Sequence, residues 1–170
     1  MNSQKRRYML RGLSVAYALF LLYLFLIWGR MQMFQDLPLS EYAKWYVNVI
    51  PLKTTVEQLR NLSTGLVNTG IVLANTLGHI LVFIPLGALL ELAYEGTWQK
   101  HLLLVTVFSL LMELTQLVLH IGSFDVDAII FNVVGYFVGL WLTKAVMGTI
   151  KRKQTMRRTA IKKKDNQMAC

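Results

Sequence analysis

His79 carries the side chain whose proton moves near neutral pH, and Glu113 carries a carboxyl inside a run that otherwise reads as lipid-soluble. Brought together in a low-dielectric site, an imidazole and a carboxyl suit proton transfer. Other polar groups accompany them: Asn75 four residues before His79, Gln116 three after Glu113, then Asp125, Asp127 and Asn132. Polar and ionisable groups are costly within apolar spans, so their presence marks a functional site by default. His79 and Glu113 are the candidate catalytic pair, with the reaction unknown. With His120 and the aspartates, the set has carboxylate and imidazole groups of the kind that hold divalent metals. A hydrogen-bonded structural network and a pocket for a polar headgroup are the other uses of the same residues. No metal or cofactor is expected, and the one cysteine, Cys170, excludes an internal disulfide.

The elements that must position these groups are membrane helices. The chain is 55% hydrophobic and 16% charged, with a mean hydropathy of +0.45, which is hard to reconcile with a soluble domain of 170 residues. Four apolar runs, about 8–29, 71–92, 102–120 and 128–148, each approach the roughly 20 residues that span about 30 Å of hydrocarbon. Without water to satisfy the backbone, each must be an α-helix. The expectation is an all-α, polytopic bundle of four transmembrane helices forming one domain over 1–150, followed by a basic tail over 151–170. A signal peptide is set aside, because no small-x-small cleavage pattern follows the first run.

Charge sets the orientation. Lys5, Arg6, Arg7 and Arg11 precede the first span, and the tail from Lys151 holds eight basic residues against Asp165 alone. Between the tails, six basic residues face eight acidic ones. The positive-inside rule then makes both termini cytoplasmic in a cell-membrane protein. The tail is read as an anchor on anionic lipid, with no nucleic acid partner expected.

At a rise of about 1.5 Å per residue, Asn75 and His79 fall about 6 and 12 Å below the outer start of the second span. Glu113 and Gln116 fall about 9 and 4–5 Å below the outer end of the third, and Asn132 about 6–8 Å below Asp127. All are in the outer half of the membrane, on three helices. Helical phase agrees: Asn75 and His79 are i, i+4; Glu113, Gln116 and His120 are i, i+3, i+7; Asp125, Ala128, Asn132, Gly135 and Gly139 form one stripe. Gly135 and Gly139 make a small-xxx-small pattern that admits a close helix neighbour. Pro85 predicts a kink just below His79.

An outer, partly helical segment connects the first two spans. Tyr42, Trp45, Tyr46 and Val49 predict one aromatic face for the membrane interface, ended by Pro51. Thr54 followed by Glu57 has capping-box spacing and predicts a second short helix. Several chemistries are excluded by residue type. There is no Gly-rich phosphate loop, GxSxG elbow or HExxH pair, and no basic residue in the outer halves of spans two to four to clamp a phosphate.

Phe83-Ile84-Pro85-Leu86-Gly87 with a polar residue six before the proline, Glu113-x-x-Gln116, and Gly122-Ser123-Phe124-Asp125-Val126-Asp127 leading to Asn132-Val133-Val134-Gly135 occur in a characteristic order. With Asn48-Val49-Ile50-Pro51 and Lys53-Thr54, this resembles the VanZ-like family of small bacterial membrane proteins over residues 46–142. Many members have an arginine shortly before the aspartate, where this chain has Gly122 or Ser123, and a carboxylate four before the asparagine, where it has Ala128. A mechanism that needs a buried Arg–Asp pair there is therefore not carried over. The resemblance implies a role at the cell envelope and lowered susceptibility to teicoplanin-type glycopeptides, with no defined reaction. The partners it suggests are the bilayer and a lipid-linked wall precursor or a glycopeptide; the oligomeric state is left open. An acid/base enzyme acting on such a precursor and an accessory subunit without a ligand are the alternatives.

Overall fold

The computed structural model describes residues 3–32, 37–65, 69–94 and 96–168, without the side chains of 3, 28–32, 63, 71, 74–75 and 162–168. Its helices are α1 (Ser3–Gln32), α2 (Leu39–Tyr46), α3 (Lys53–Ser63), α4 (Thr69–Ala93), α5 (Trp98–Val118) and α6 (Val126–Met168). Two short strands, β1 (Val47–Asn48) and β2 (Phe124–Asp125), pair in parallel. The expected all-α architecture is what forms, and α1, α4, α5 and α6 are each long and apolar enough to cross a membrane.

These four helices close a ring in which α6 packs on α4 and α5, and α1 seals the gap between those two. The closest pairing is α4 with α6. A Cβ added at Gly135 would meet the Ile80 carbonyl oxygen at 2.3 Å, one at Gly139 the Ile84 oxygen at 2.1 Å, and one at Gly87 the Tyr136 oxygen at 2.3 Å. Backbones therefore touch where any side chain would intrude. Apolar helices gain nothing by hiding from lipid, so this packing and the hydrogen bonds between helices hold the bundle. Beside these contacts, Leu21, Phe83, Leu86, Met112 and Tyr136 fill the core, and the Tyr136 hydroxyl donates to the Trp98 carbonyl at 3.1 Å.

Pro85 leaves α4 a single element from Thr69 to Ala93. In the turn before it, the Val82 carbonyl accepts the Tyr17 hydroxyl at 2.9 Å, which ties α1 to α4. At the far end of α4, Arg11 donates to the Ala93 carbonyl at 3.4 Å and lies over the Tyr94 ring, a cation at a helix C-terminus. The tail continues α6 as helix through Met168, because no glycine or proline interrupts it after Gly148.

The segment carrying α2 and α3 covers the end of the ring away from the start of α1, and it corrects three expectations. The aromatic face is split: Tyr42 is 1% exposed, whereas Trp45 is 81% exposed and Val49 lies beyond the helix. The helix ends at Tyr46 rather than at Pro51, because Val47 and Asn48 turn away to pair with Phe124 and Asp125. The capping box does not form either. The cap position of α3 is Leu52, held in the left-handed region at φ 63°, and no side chain of its own segment caps it.

Candidate functional site

Beneath α3, at the covered end of the ring, lies a cavity of about 370 Å³. Every long helix contributes to its wall: Leu24 and Phe25 from α1, Gly78 and His79 from α4, Glu113 and Gln116 from α5, Asp127, Ala128 and Phe131 from α6. Thr54, Thr55 and Gln58 of α3 form its roof, and Asp125 comes from the connection before α6. His79, Glu113, Gln116, Asp125 and Asp127 thus share one chamber. The Asn75 side chain lies outside the described residues.

Asp127 is 2% exposed and serves α3. One of its oxygens accepts the Leu52 amide, and the other accepts the Thr55 amide at 3.0 Å and the Thr55 hydroxyl at 2.9 Å. A negative charge at the first turn of a helix satisfies orphan amides and complements the helix dipole. The aspartate of α6 therefore does what the local capping box was expected to do. Thr54 instead accepts at its hydroxyl from the Asn48 side-chain amide, at 2.9 Å.

Asn48 joins the two halves of the site. Its amide nitrogen also donates to Asp125 Oδ1 at 3.0 Å, and its oxygen accepts the Ile50 amide at 3.1 Å. Asp125 Oδ1 accepts in addition the Asp127 amide at 2.9 Å. The Asp125 amide in turn donates to Glu113 Oε2 at 2.9 Å, which fixes a carboxyl only 2% exposed. Gln116 donates to the Phe25 carbonyl at 3.1 Å and so fastens α5 to α1.

His79 and Asn132 form a pair across the α4–α6 crossing, Nδ1 to Oδ1, 3.0 Å apart. Asn132 is fully buried behind the imidazole, and its amide nitrogen has no partner among the described residues. The Phe25 ring stands 4.9 Å from the His79 ring. His79 and Glu113 line the same space, and no hydrogen bond joins them.

His120 does not continue the face of Glu113 and Gln116. The α5 helix stops at Val118, with the His120 amide bonded to the Leu117 carbonyl and the Ile121 amide to the Gln116 carbonyl. This is the Schellman arrangement, and His120 occupies its left-handed position at φ 54°, where glycine is usual. Its ring rests 4.4 Å from that of Tyr42, whose hydroxyl donates to the Gly122 carbonyl at 2.9 Å. Burial, and behind it the neighbouring Tyr46, holds the Tyr42 phenol above its ordinary range.

Sequence reasoning passed over Gln58, Thr55 and Phe25 as parts of the site. Thr54 and Gln58 are four residues apart and share a face of α3, which was the available signal; nothing local marked Phe25. Among the described residues no three His, Cys, Asp or Glu side chains are placed to hold a metal. The chamber combines carboxylates, amides, hydroxyls and one imidazole with an aromatic and aliphatic wall, which suits capture of a polar group carried on an apolar body.

No match was found among curated proteins or among solved structures. Residues 14–148, which take in α4 and α5, most of the apolar part of α1 and of α6, and every residue of the chamber, match the family model described as VanZ/LLP1. With that match covering most of its length, the chain belongs to the VanZ-like family of membrane proteins.

Proposed function

We propose that this protein is a multi-pass protein of the bacterial cell membrane whose chamber binds or modifies a surface component, such as a lipid-linked wall precursor, and so lowers susceptibility to teicoplanin-type glycopeptides. The observation that carries this reading is the chamber itself, with polar groups from four helices and an apolar wall from α1 meeting at the end of the bundle away from the basic termini. With those termini cytoplasmic by the positive-inside rule, the chamber belongs to the outer leaflet, where wall precursors are displayed. The test is drug protection in cells expressing His79→Ala or Glu113→Gln at unchanged membrane abundance. Both variants are expected to lose protection; full protection in both would refute the reading.

A second reading, an intramembrane acid/base enzyme, is favoured by one observation: His79 and Glu113 line the same chamber. It demands turnover by the purified protein, with a pH profile that moves when either residue is changed.

A further inference from the structure

The hydrogen-bonding character of the chamber wall is lopsided. Asp127 is saturated by three donors from Leu52 and Thr55. Glu113 and Asp125 are only half used: Asp125 Oδ1 takes the Asn48 side chain and the Asp127 amide, and Glu113 Oε2 takes the Asp125 amide. The other oxygen of each accepts no hydrogen bond from the described residues. The sealed, unpartnered side-chain atoms among those residues are His101 Nδ1, Ser109 Oγ, His120 Nε2 and Asn132 Nδ2. Neither of those carboxyl oxygens is among them, and both residues line the chamber, although Glu113 is only 2% exposed.

Two carboxyl oxygens facing one low-dielectric space either take up protons or accept a positive donor. A buried charge without a partner is expensive, and a cation brought against it recovers much of that cost. Among the described residues no lysine or arginine lines the chamber, and the one imidazole there, His79, is bound through Nδ1 to Asn132. A phosphate would add like charge to this wall. An ammonium group presents only donors and one positive charge, and Phe25 and Phe131 offer ring surface to the body that carries it.

We propose that the chamber selects an organic ammonium group, seated between the free oxygens of Glu113 and Asp125 with its carrier against Phe25 and Phe131. The proposal rests on the chamber being a binding site, and it names which end of a wall component enters. The amine of a peptide or of an amino sugar docks, and the phosphate stays outside. The two carriers share the chemistry that the wall recognises.

The full-length protein in lipid nanodiscs is titrated with glycinamide, glucosamine, their neutral N-acetyl forms and inorganic phosphate, and binding is read by calorimetry and by thermal shift. At least one ammonium probe is expected to bind ten times or more tighter than its N-acetyl form, and phosphate is expected not to bind. Preference for glycinamide identifies a peptide carrier, and preference for glucosamine identifies a sugar. Glu113→Gln and Asp125→Asn are each expected to weaken ammonium binding at least tenfold; the charged-to-neutral comparison on the unaltered protein stands even where a variant fails to fold. Equal affinity for acetylated and free amines, binding of phosphate, or no ammonium binding at all would overturn the proposal. This outcome is separable from drug protection: selective ammonium binding without protection would leave the site intact and remove only the cellular role.

Discussion

At the scale of single residues, the site depends on groups that do structural work for distant segments. Asp127 belongs to the first turn of α6, and its carboxylate holds the first turn of α3. Replacing it with alanine leaves the amides of Leu52 and Thr55 without their acceptor, which costs about 1–3 kcal/mol. Asp127→Ala is therefore expected to lower the unfolding temperature in detergent and to expose α3 to protease while the long helices persist. Tyr42 makes a second, pH-dependent contribution. Its phenol is held above the ordinary 10.0 by burial, so it keeps its proton in the docked state and loses it more readily when α2 lifts away. The stability it provides is complete below about pH 10 and declines as pH rises toward the folded value. Tyr42→Phe should flatten that alkaline decline while losing about 1 kcal/mol at neutral pH with the bond to Gly122. Unfolding curves between pH 8 and about 11 check both signs.

Among elements, the α4–α6 crossing decides whether the site exists. His79 and Asn132 meet only because Gly135, Gly139 and Gly87 let the two backbones touch. Gly139→Ala puts a methyl group 2.1 Å from a backbone oxygen, which cannot swing aside, so the helices must separate at a cost of about 1–3 kcal/mol. Gly148→Ala lies in the same helix with nothing within 4 Å and is expected to be neutral or slightly stabilising. Thermal unfolding of the two variants side by side measures the difference. This crossing was legible beforehand, since a stripe of small residues in phase with Asn132 is a local pattern with a 3.6-residue period. The four long helices were legible for the same reason. The covering segment was not. The cap on α3 comes from a carboxylate 75 positions away, β1 and β2 are two residues each, and His120 takes a left-handed conformation without being glycine. None of these leaves a periodic trace, so the sequence placed Asp127 in a polar cluster without its role and kept His120 on a face that α5 does not extend to reach.

For the whole molecule, the charge distribution implies an orientation that can be measured. Of the 18 lysines and arginines, 12 lie at the start of α1 and the end of α6, and the chamber with its roof sits at the opposite end of the ring. The single cysteine, Cys170, is therefore expected to resist a membrane-impermeant maleimide in intact cells and to react after permeabilisation. A cysteine introduced at the exposed position Glu57 of α3, in a Cys170→Ser background, is expected to react in intact cells. The reverse pattern would place the chamber on the cytoplasmic side and would remove the extracellular role proposed for it.

The seam that fastens the roof also sets a schedule for biosynthesis. Val47 and Asn48 pair with Phe124 and Asp125, and Leu52 binds Asp127, so each attachment joins stretches more than 70 residues apart. At about 5–20 residues per second, the ribosome delivers the second half of each attachment roughly 4–15 s after the first. For that interval α2 and α3 lack the seam that fastens them and have only α4 and α5 to rest on, and a nascent chain cut short before Phe124 would leave them permanently unfastened, in the form most visible to quality-control proteases.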